Sequence, residues 1–107
     1  MEHYRINITR PAEQDLTEIL HYVANSLKNP AAAARLYADI KTAICSLSQL
    51  PERCRVVDDE PYATQGIRRL FVRNYVVFFT ADPSSRTVTV LRVVYNRREW
   101  QSLLGED

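Results

Sequence analysis

From Tyr4 to Thr9 the chain alternates, with Tyr4, Ile6 and Ile8 set against Arg5, Asn7 and Thr9. That alternation predicts a strand with one face on a core. The period then lengthens. Ala12, Leu16, Ile19, Leu20, Val23, Ala24 and Leu27 recur at three- and four-residue spacing and form one apolar helical stripe. Thr9 is the expected N-cap, with Pro11 in the first turn and Glu13 and Asp15 complementing the positive end of the helix. This helix should stop near Lys28. His21 falls off the densest part of the stripe and reads as a surface or boundary residue. Asn29-Pro30 opens a second helix, where Leu36, Tyr37, Ile40, Ala43, Ile44, Leu47 and Leu50 carry the stripe until Pro51 ends it. Two helices of about five turns each, joined by almost nothing, predict an antiparallel hairpin. Both stripes are expected to lie on one face of a sheet, leaving the other face to solvent or a partner.

The sheet itself is predicted between Gly66 and Trp100. Ile67 to Ala81 is an apolar run broken only by Arg73-Asn74, which reads as a tight turn between two strands. A second run, Thr87 to Tyr95, follows the turn cluster Asp82-Pro83-Ser84-Ser85. With the N-terminal strand this gives an α+β fold. Its expected parts are an antiparallel sheet of about four strands, the helical hairpin on one face and a short C-terminal helix over Arg97 to Leu104, anchored by Trp100 and Leu103-Leu104. Between hairpin and sheet, Pro51 to Gln65 is a polar connection in which Arg55 to Val57 is a candidate edge strand. The adjacent carboxylates Asp58-Asp59-Glu60 are read as solvated, since contiguous side chains do not converge on a metal.

At 107 residues the chain is expected to form one domain, residues 1–107. Apolar content of 46% and charged content of 25% are ordinary globular values. No apolar run is long enough to span a bilayer and the N-terminus lacks a signal-peptide core, so a cytoplasmic protein with no membrane partner is expected. Cys45 and Cys54 form no C-x-x-C pair, and with only His3 and His21 no metal spacing appears. No cofactor is implied.

Charge changes the picture more. Arg68, Arg69, Arg73, Arg86, Arg92, Arg97 and Arg98 fall between Gly66 and Arg98 with one acid, Asp82, a local charge of +6. The rest of the chain carries seven basic and twelve acidic residues, a charge of −5, and the total is +1. A basic sheet attached to an acidic remainder attracts an anionic partner. Arg68, Arg69, Arg73, Arg92, Arg97 and Arg98, with Trp100, are therefore the candidate contact residues.

Several strings together resemble one family. G-I-R-R-L-F-V-R-N-Y-V-V-F-F from Gly66 is similar to the G-x-R-x-L-x-V-x-x-Y-x-V-F-Y signature of the RelE/ParE toxins of type II toxin–antitoxin modules, the plasmid stabilisation proteins. V-L-R-V-V-Y-N-R-R-E-W-Q-S-L-L resembles that family's V-L-R-V-x-H-G-R-R-D-W-x-x-L-L ending. The front agrees in I-T-x-x-A-E-x-D-L-x-E-I over Ile8 to Ile19, in Lys28-Asn29-Pro30, and in Leu50-Pro51-Glu52-Arg53. The resemblance spans nearly the whole chain. It implies a small toxin neutralised by a cognate antitoxin, and an acidic antitoxin would suit the basic sheet.

The family has two chemically distinct branches. RelE-like members cut mRNA in the ribosome, which demands a proton acceptor at the 2′-hydroxyl, cations on the phosphorane and an acid for the leaving oxygen. ParE-like members inhibit DNA gyrase without cutting anything themselves. RelE-like proteins carry an arginine directly after the tyrosine matching Tyr75; this chain has Val76. Arginines at neutral pH stabilise charge but shuttle protons poorly. If the chain is a ribonuclease, Arg69, Tyr95, Arg97 and Arg98 are its catalytic candidates, with Tyr95 standing where histidine is common. The missing arginine and the long hairpin favour the ParE-like branch, with gyrase as partner. The ribosome and mRNA are the alternative partners. A fold that only binds antitoxin is the third reading, to which the departures at Phe79, Tyr95, Asn96 and Glu99 contribute.

Overall fold

A computed structural model describes residues 3–96. The expected C-terminal helix, with Arg97, Arg98 and Trp100, lies outside the described residues. Strand β1 (Arg5–Ile8) leads into helix α1 (Arg10–His21), and a π-helical turn (Tyr22–Ser26) extends α1 to the hairpin. Helix α2 (Pro30–Cys45) returns and ends in two 3₁₀ turns, Ser46–Ser48 and Pro51–Arg53. Strands β2 (Arg68–Val72), β3 (Tyr75–Asp82) and β4 (Thr87–Tyr95) follow. Both helices start as their sequences dictate. Thr9 Oγ1 accepts from the Ala12 N–H at 3.3 Å and Asn29 Oδ1 from the Ala32 N–H at 3.1 Å.

The sheet order is β1-β4-β3-β2. β2, β3 and β4 form the expected antiparallel meander, with the two-residue turn at Arg73-Asn74. β1, however, runs parallel to β4, Ile6 opposite Val88, so the sheet is mixed. Alternation fixes which face a strand buries but not its neighbour or direction, and the long path between β1 and β4 permits either.

One sheet face packs on the hairpin. Ala12, Val23, Leu36, Ile40 and Ile44 meet Val72, Val77, Phe79, Val88, Val90 and Val93. Each such side chain, fully buried, contributes about 1.5–3 kcal/mol. Leu27, Tyr37 and Leu50, which the helical periodicity placed in the stripes, are instead exposed. The second face also departs from expectation. The connection after α2 folds over it, and Val57, Ile67, Val76, Phe78 and Val94 form a second small core with Tyr62 and Leu91 against it. Arg55 to Val57 contributes only an isolated bridge, Val56 to Arg68, rather than a strand.

β1 is short, and past Val90 the edge of β4 is held by α1. Thr9 Oγ1 donates to the Leu91 carbonyl at 3.0 Å. The Asp15 carboxylate accepts from Arg92 Nε at 2.7 Å, from a second Arg92 nitrogen at 2.9 Å and from the Val93 N–H at 2.9 Å. A bulge opposite Phe78 and Phe79 makes this possible, because Leu91 is extra. Val90 and Val93, three apart, can then both face the helices.

The end of α2 is tied down by the Leu50-Pro51-Glu52-Arg53 string. Arg53 donates to the carbonyls of Gln49 and Leu50 at 2.9 and 3.2 Å and to Ser46 Oγ at 2.8 Å, closing helix-end acceptors. Pro51 is buried, and Glu52 accepts from the Tyr4 hydroxyl at 2.7 Å. That hydrogen bond, followed by a backbone one, lowers the Glu52 pKa below its ordinary value.

Two outcomes are expected. Asp15→Ala removes the acceptor of three hydrogen bonds in a largely buried place and should cost about 2–4 kcal/mol, read as a lower urea midpoint. A midpoint within error of wild type would refute the anchoring role. Glu52 with a lowered folded pKa stabilises the protein above its unfolded value and loses that contribution as pH falls through the folded one. Tyr4→Phe removes the largest cause, so wild type and variant should differ most near neutral pH and converge in acid. A gap that widens in acid would contradict this assignment.

Candidate functional site

The arginines that the sequence singled out are not gathered at one place. Arg68 faces the hairpin side, donating to the carbonyls of Glu52 and Cys54 at 3.2 and 2.6 Å. Arg92 is bound to Asp15. Arg73, in the β2–β3 turn, forms an ion pair with Asp39 of α2. Arg69 stands on the opposite face, its guanidinium 5.6 Å from the ring centroid of exposed Phe71, a contact of the cation–π kind.

Register makes the separation definite. Arg69 is opposite Phe78, whose ring belongs to the second core, whereas Tyr95 is opposite Tyr75, which packs with the hairpin core. Directly opposed residues share a face. Arg69 and Tyr95 therefore lie on different faces of the sheet. Val76, the position after Tyr75, is 1% exposed inside the second core.

What the fold does bring together is a group of tyrosines. A groove of about 530 Å³ runs between the C-terminal half of the first helix and the end of the sheet, walled by Tyr22, Leu27, Tyr75 and Tyr95 with Glu18 at its rim. Tyr75 and Tyr95 meet edge to face, centroids 5.6 Å apart at 74°, a favoured aromatic geometry. The π turn shapes the other wall. The Leu27 N–H donates to the Tyr22 carbonyl at 3.0 Å, five residues back. Spacings of four and then five residues thus bring Glu18, Tyr22 and Leu27 to one side. A regular 3.6-residue period groups Leu27 with Val23 instead, which is why the sequence reading put Leu27 in the core. Tyr75 and Tyr22 were likewise missed. Their signal, aromatic residues at the end of a strand and at the edge of a helical stripe, is also that of ordinary core.

Chemically the groove is apolar and poor in proton acceptors. Burial, with lesser effects from Tyr95 and Tyr22, raises the Tyr75 phenol above its ordinary pKa, so it stays protonated at neutral pH. Cys54, in the connection, is also raised, mainly by burial, which disfavours the nucleophilic thiolate. Among the described residues no three metal-ligating side chains converge, and no helix is long and apolar enough to cross a membrane.

The family model for the ParE toxin of the type II toxin–antitoxin system, parDE, matches residues 6–100. The chain belongs to the ParE toxin family. Among solved structures, the toxin's fold is similar to a chain of the chromosomal ParDE system from P. aeruginosa, with TM-score 0.71 and 23% identity over 89% of this chain and 98% of that one. It is also similar to a chain of the toxin–antitoxin complex RelBE2 from Mycobacterium tuberculosis, with TM-score 0.64 and 24% identity over 89% and 93%. The archaeal RelE–RelB complex from Pyrococcus horikoshii gives TM-score 0.54 and 18% identity over 90% and 98%. No curated protein matches the toxin. At these identities the solved structures show a shared α+β fold.

Tyr75 should titrate above an ordinary phenol in an absorbance titration, and Tyr75→Phe should remove absorbance change from the high-pH end of the profile. An unchanged profile in the variant would show that Tyr75 is not the shifted group.

Proposed function

We propose that this ParE-family toxin arrests growth by binding DNA gyrase, without bond-breaking chemistry of its own, and that a cognate antitoxin neutralises it. The observation that carries the reading is the separation of Arg69 from Tyr95 by the thickness of the sheet. An RNA-cleaving centre needs its cation and proton-transfer groups around a single phosphate. Position 76, where the RelE-like branch is expected to have arginine, holds a buried valine. The antitoxin partner is supported by the neighbours, two of which are RelE-type toxins solved in complex with their antitoxins; at fold level this is analogy.

The contact surface proposed for target or antitoxin is the basic outer side, with Arg69 beside exposed Phe71, together with Arg97, Arg98 and Trp100. Arg68, Arg73 and Arg92 act first within the fold, and their contribution to binding is through the field they add. The second reading, ribosome-dependent mRNA cleavage, is favoured by one feature: Tyr95 ends β4 with Arg97 and Arg98 close behind it in the chain, after Asn96. A fold that binds antitoxin and has lost its target is the third.

Purified toxin added to gyrase and relaxed plasmid should inhibit supercoiling and accumulate cleaved DNA, while ribosomes programmed with message keep that message intact. Arg97→Ala combined with Arg98→Ala should weaken gyrase inhibition at least tenfold, at unchanged thermal stability. Cut message with unaffected gyrase would overturn the proposal in favour of the ribonuclease, and no effect on either would leave the antitoxin-binding fold.

A further inference from the structure

β1 stands at one edge of the sheet, and its backbone engages β4 on one side only. The Arg5 N–H donates to the Arg86 carbonyl at 2.8 Å and the Thr9 N–H to the Val90 carbonyl at 3.1 Å. Along a strand, alternate residues turn their backbone groups to opposite sides. Tyr4, Ile6 and Ile8 therefore turn theirs away from β4. The Tyr4 N–H finds the Ser48 carbonyl there at 2.8 Å. Among the described residues Ile6 and Ile8 have no backbone partner on that side.

Next to this edge, on the hairpin side, lies a groove of about 260 Å³ lined by Ile6, Ile8, Leu16, Tyr37 and Ile44, with Lys41 as its charged lining residue. Ile8 and Tyr37 are 36% and 46% exposed, so the groove shows apolar surface to water. Open backbone groups beside an apolar groove are what an added strand uses. Main-chain hydrogen bonds hold it, and every second side chain enters the groove.

Charge selects the occupant. Arg5 lies on the face of β1 opposite Ile6 and Ile8, and Arg10 opens α1; both are exposed, as is Lys41. None of the three has an ion-pair partner among the described residues. Directly opposed residues on neighbouring strands share a face, so acids on the outer side of an added strand meet Arg5. A second copy of β1, R-I-N-I, would instead bring further cations to the same place.

We propose that the β1 edge accepts an extended segment of a partner protein in which apolar residues alternate with acidic ones. The apolar side chains fill the groove, Ile6 and Ile8 supply the main-chain hydrogen bonds, and the acids face Arg5 in the field of Arg10 and Lys41. This surface is separate from the outer-face contact residues named above, and the inference does not depend on gyrase being the target.

An acetylated heptapeptide of alternating glutamate and valine is the probe, with its lysine–valine counterpart as control. Titrated into the full-length toxin, the acidic peptide should slow hydrogen exchange at the Ile6 and Ile8 amides and leave Arg5 and Asn7 unchanged. Ile8→Pro removes an outward donor that the β1–β4 ladder does not use. It should weaken binding at least tenfold with the melting temperature close to wild type. Lys41→Glu, on an exposed helical position, should weaken it several-fold, which keeps the test available if the proline variant folds poorly. Absence of binding, or binding without protection of those two amides, would overturn the proposal. Equal binding of the lysine–valine peptide would do so too, because charge would then select nothing. A toxin dimer that Ile8→Pro dissociates would give the edge to a second copy, also against the proposal.

Discussion

The carboxylate of Asp15 holds the two layers of the toxin in one relative position. Three hydrogen bonds converge on it from β4, two from the Arg92 guanidinium and one from the Val93 N–H. The backbone bond matters as much as the ionic ones. β1 pairs with β4 only as far as Val90, opposite Ile8, so the edge beyond would present open N–H groups, a liability in any sheet. A helix cannot supply a backbone acceptor from its middle, because its own carbonyls are in use. A side-chain carboxylate can, and Asp15 occupies that place. Where α1 sits against β4 decides where its π turn lies, and hence where Tyr22 and Leu27 stand relative to Tyr75 and Tyr95.

The division of charge that is evident along the sequence is partly resolved inside the fold. Among the described residues, sheet arginines meet hairpin carboxylates twice, Arg92 with Asp15 and Arg73 with Asp39. The two differ in consequence. Arg73 and Asp39 are each about half exposed, and such a pair contributes little, about 0–1 kcal/mol. Arg92 and Asp15 are largely shielded, share a bidentate geometry and include a backbone donor, so the pair fixes structure. Arg68 reaches the carbonyls of Glu52 and Cys54 at the start of the connection, on the hairpin side. The basic sheet therefore first holds its own covering layers, and Arg69 is the described arginine set most clearly on the outer face.

Much of this was legible in the sequence. The caps Thr9 and Asn29, the turn at Arg73-Asn74 and the bounds of β3 and β4 follow from local chemistry, and local chemistry is what a sequence displays. Asp15 and Arg92 occur in two separate strings of the family resemblance, but nothing in either string says that they touch. The parallel direction of β1, the bulge at Leu91 and the folding of the connection over Phe78 depend on contacts between residues distant in the chain. The π turn is subtler, since one added residue in a helical turn leaves composition untouched and only moves Leu27 from core to groove. The candidate site was read least well for a related reason. Arginines were ranked by chemistry alone, without regard to the face each occupies, and register places Arg69 and Tyr95 on different ones.

That same register makes the second core decisive for what the outer face can do. Val76 is enclosed by Val57, Ile67, Phe78 and Val94. Exchanging it for arginine would bury a charge with no acid among those neighbours, a penalty larger than a domain of this size tolerates easily. The cover would have to lift for a cation to work there, and lifting it would expose Val57, Ile67 and Phe78. A stable cover over the middle of this face and a cation-bearing catalytic centre at position 76 are therefore competing uses of one surface. In this chain the apolar use prevails. Chemistry on the outer face is left to the rim, where Arg69 and Phe71 lie beyond the cover.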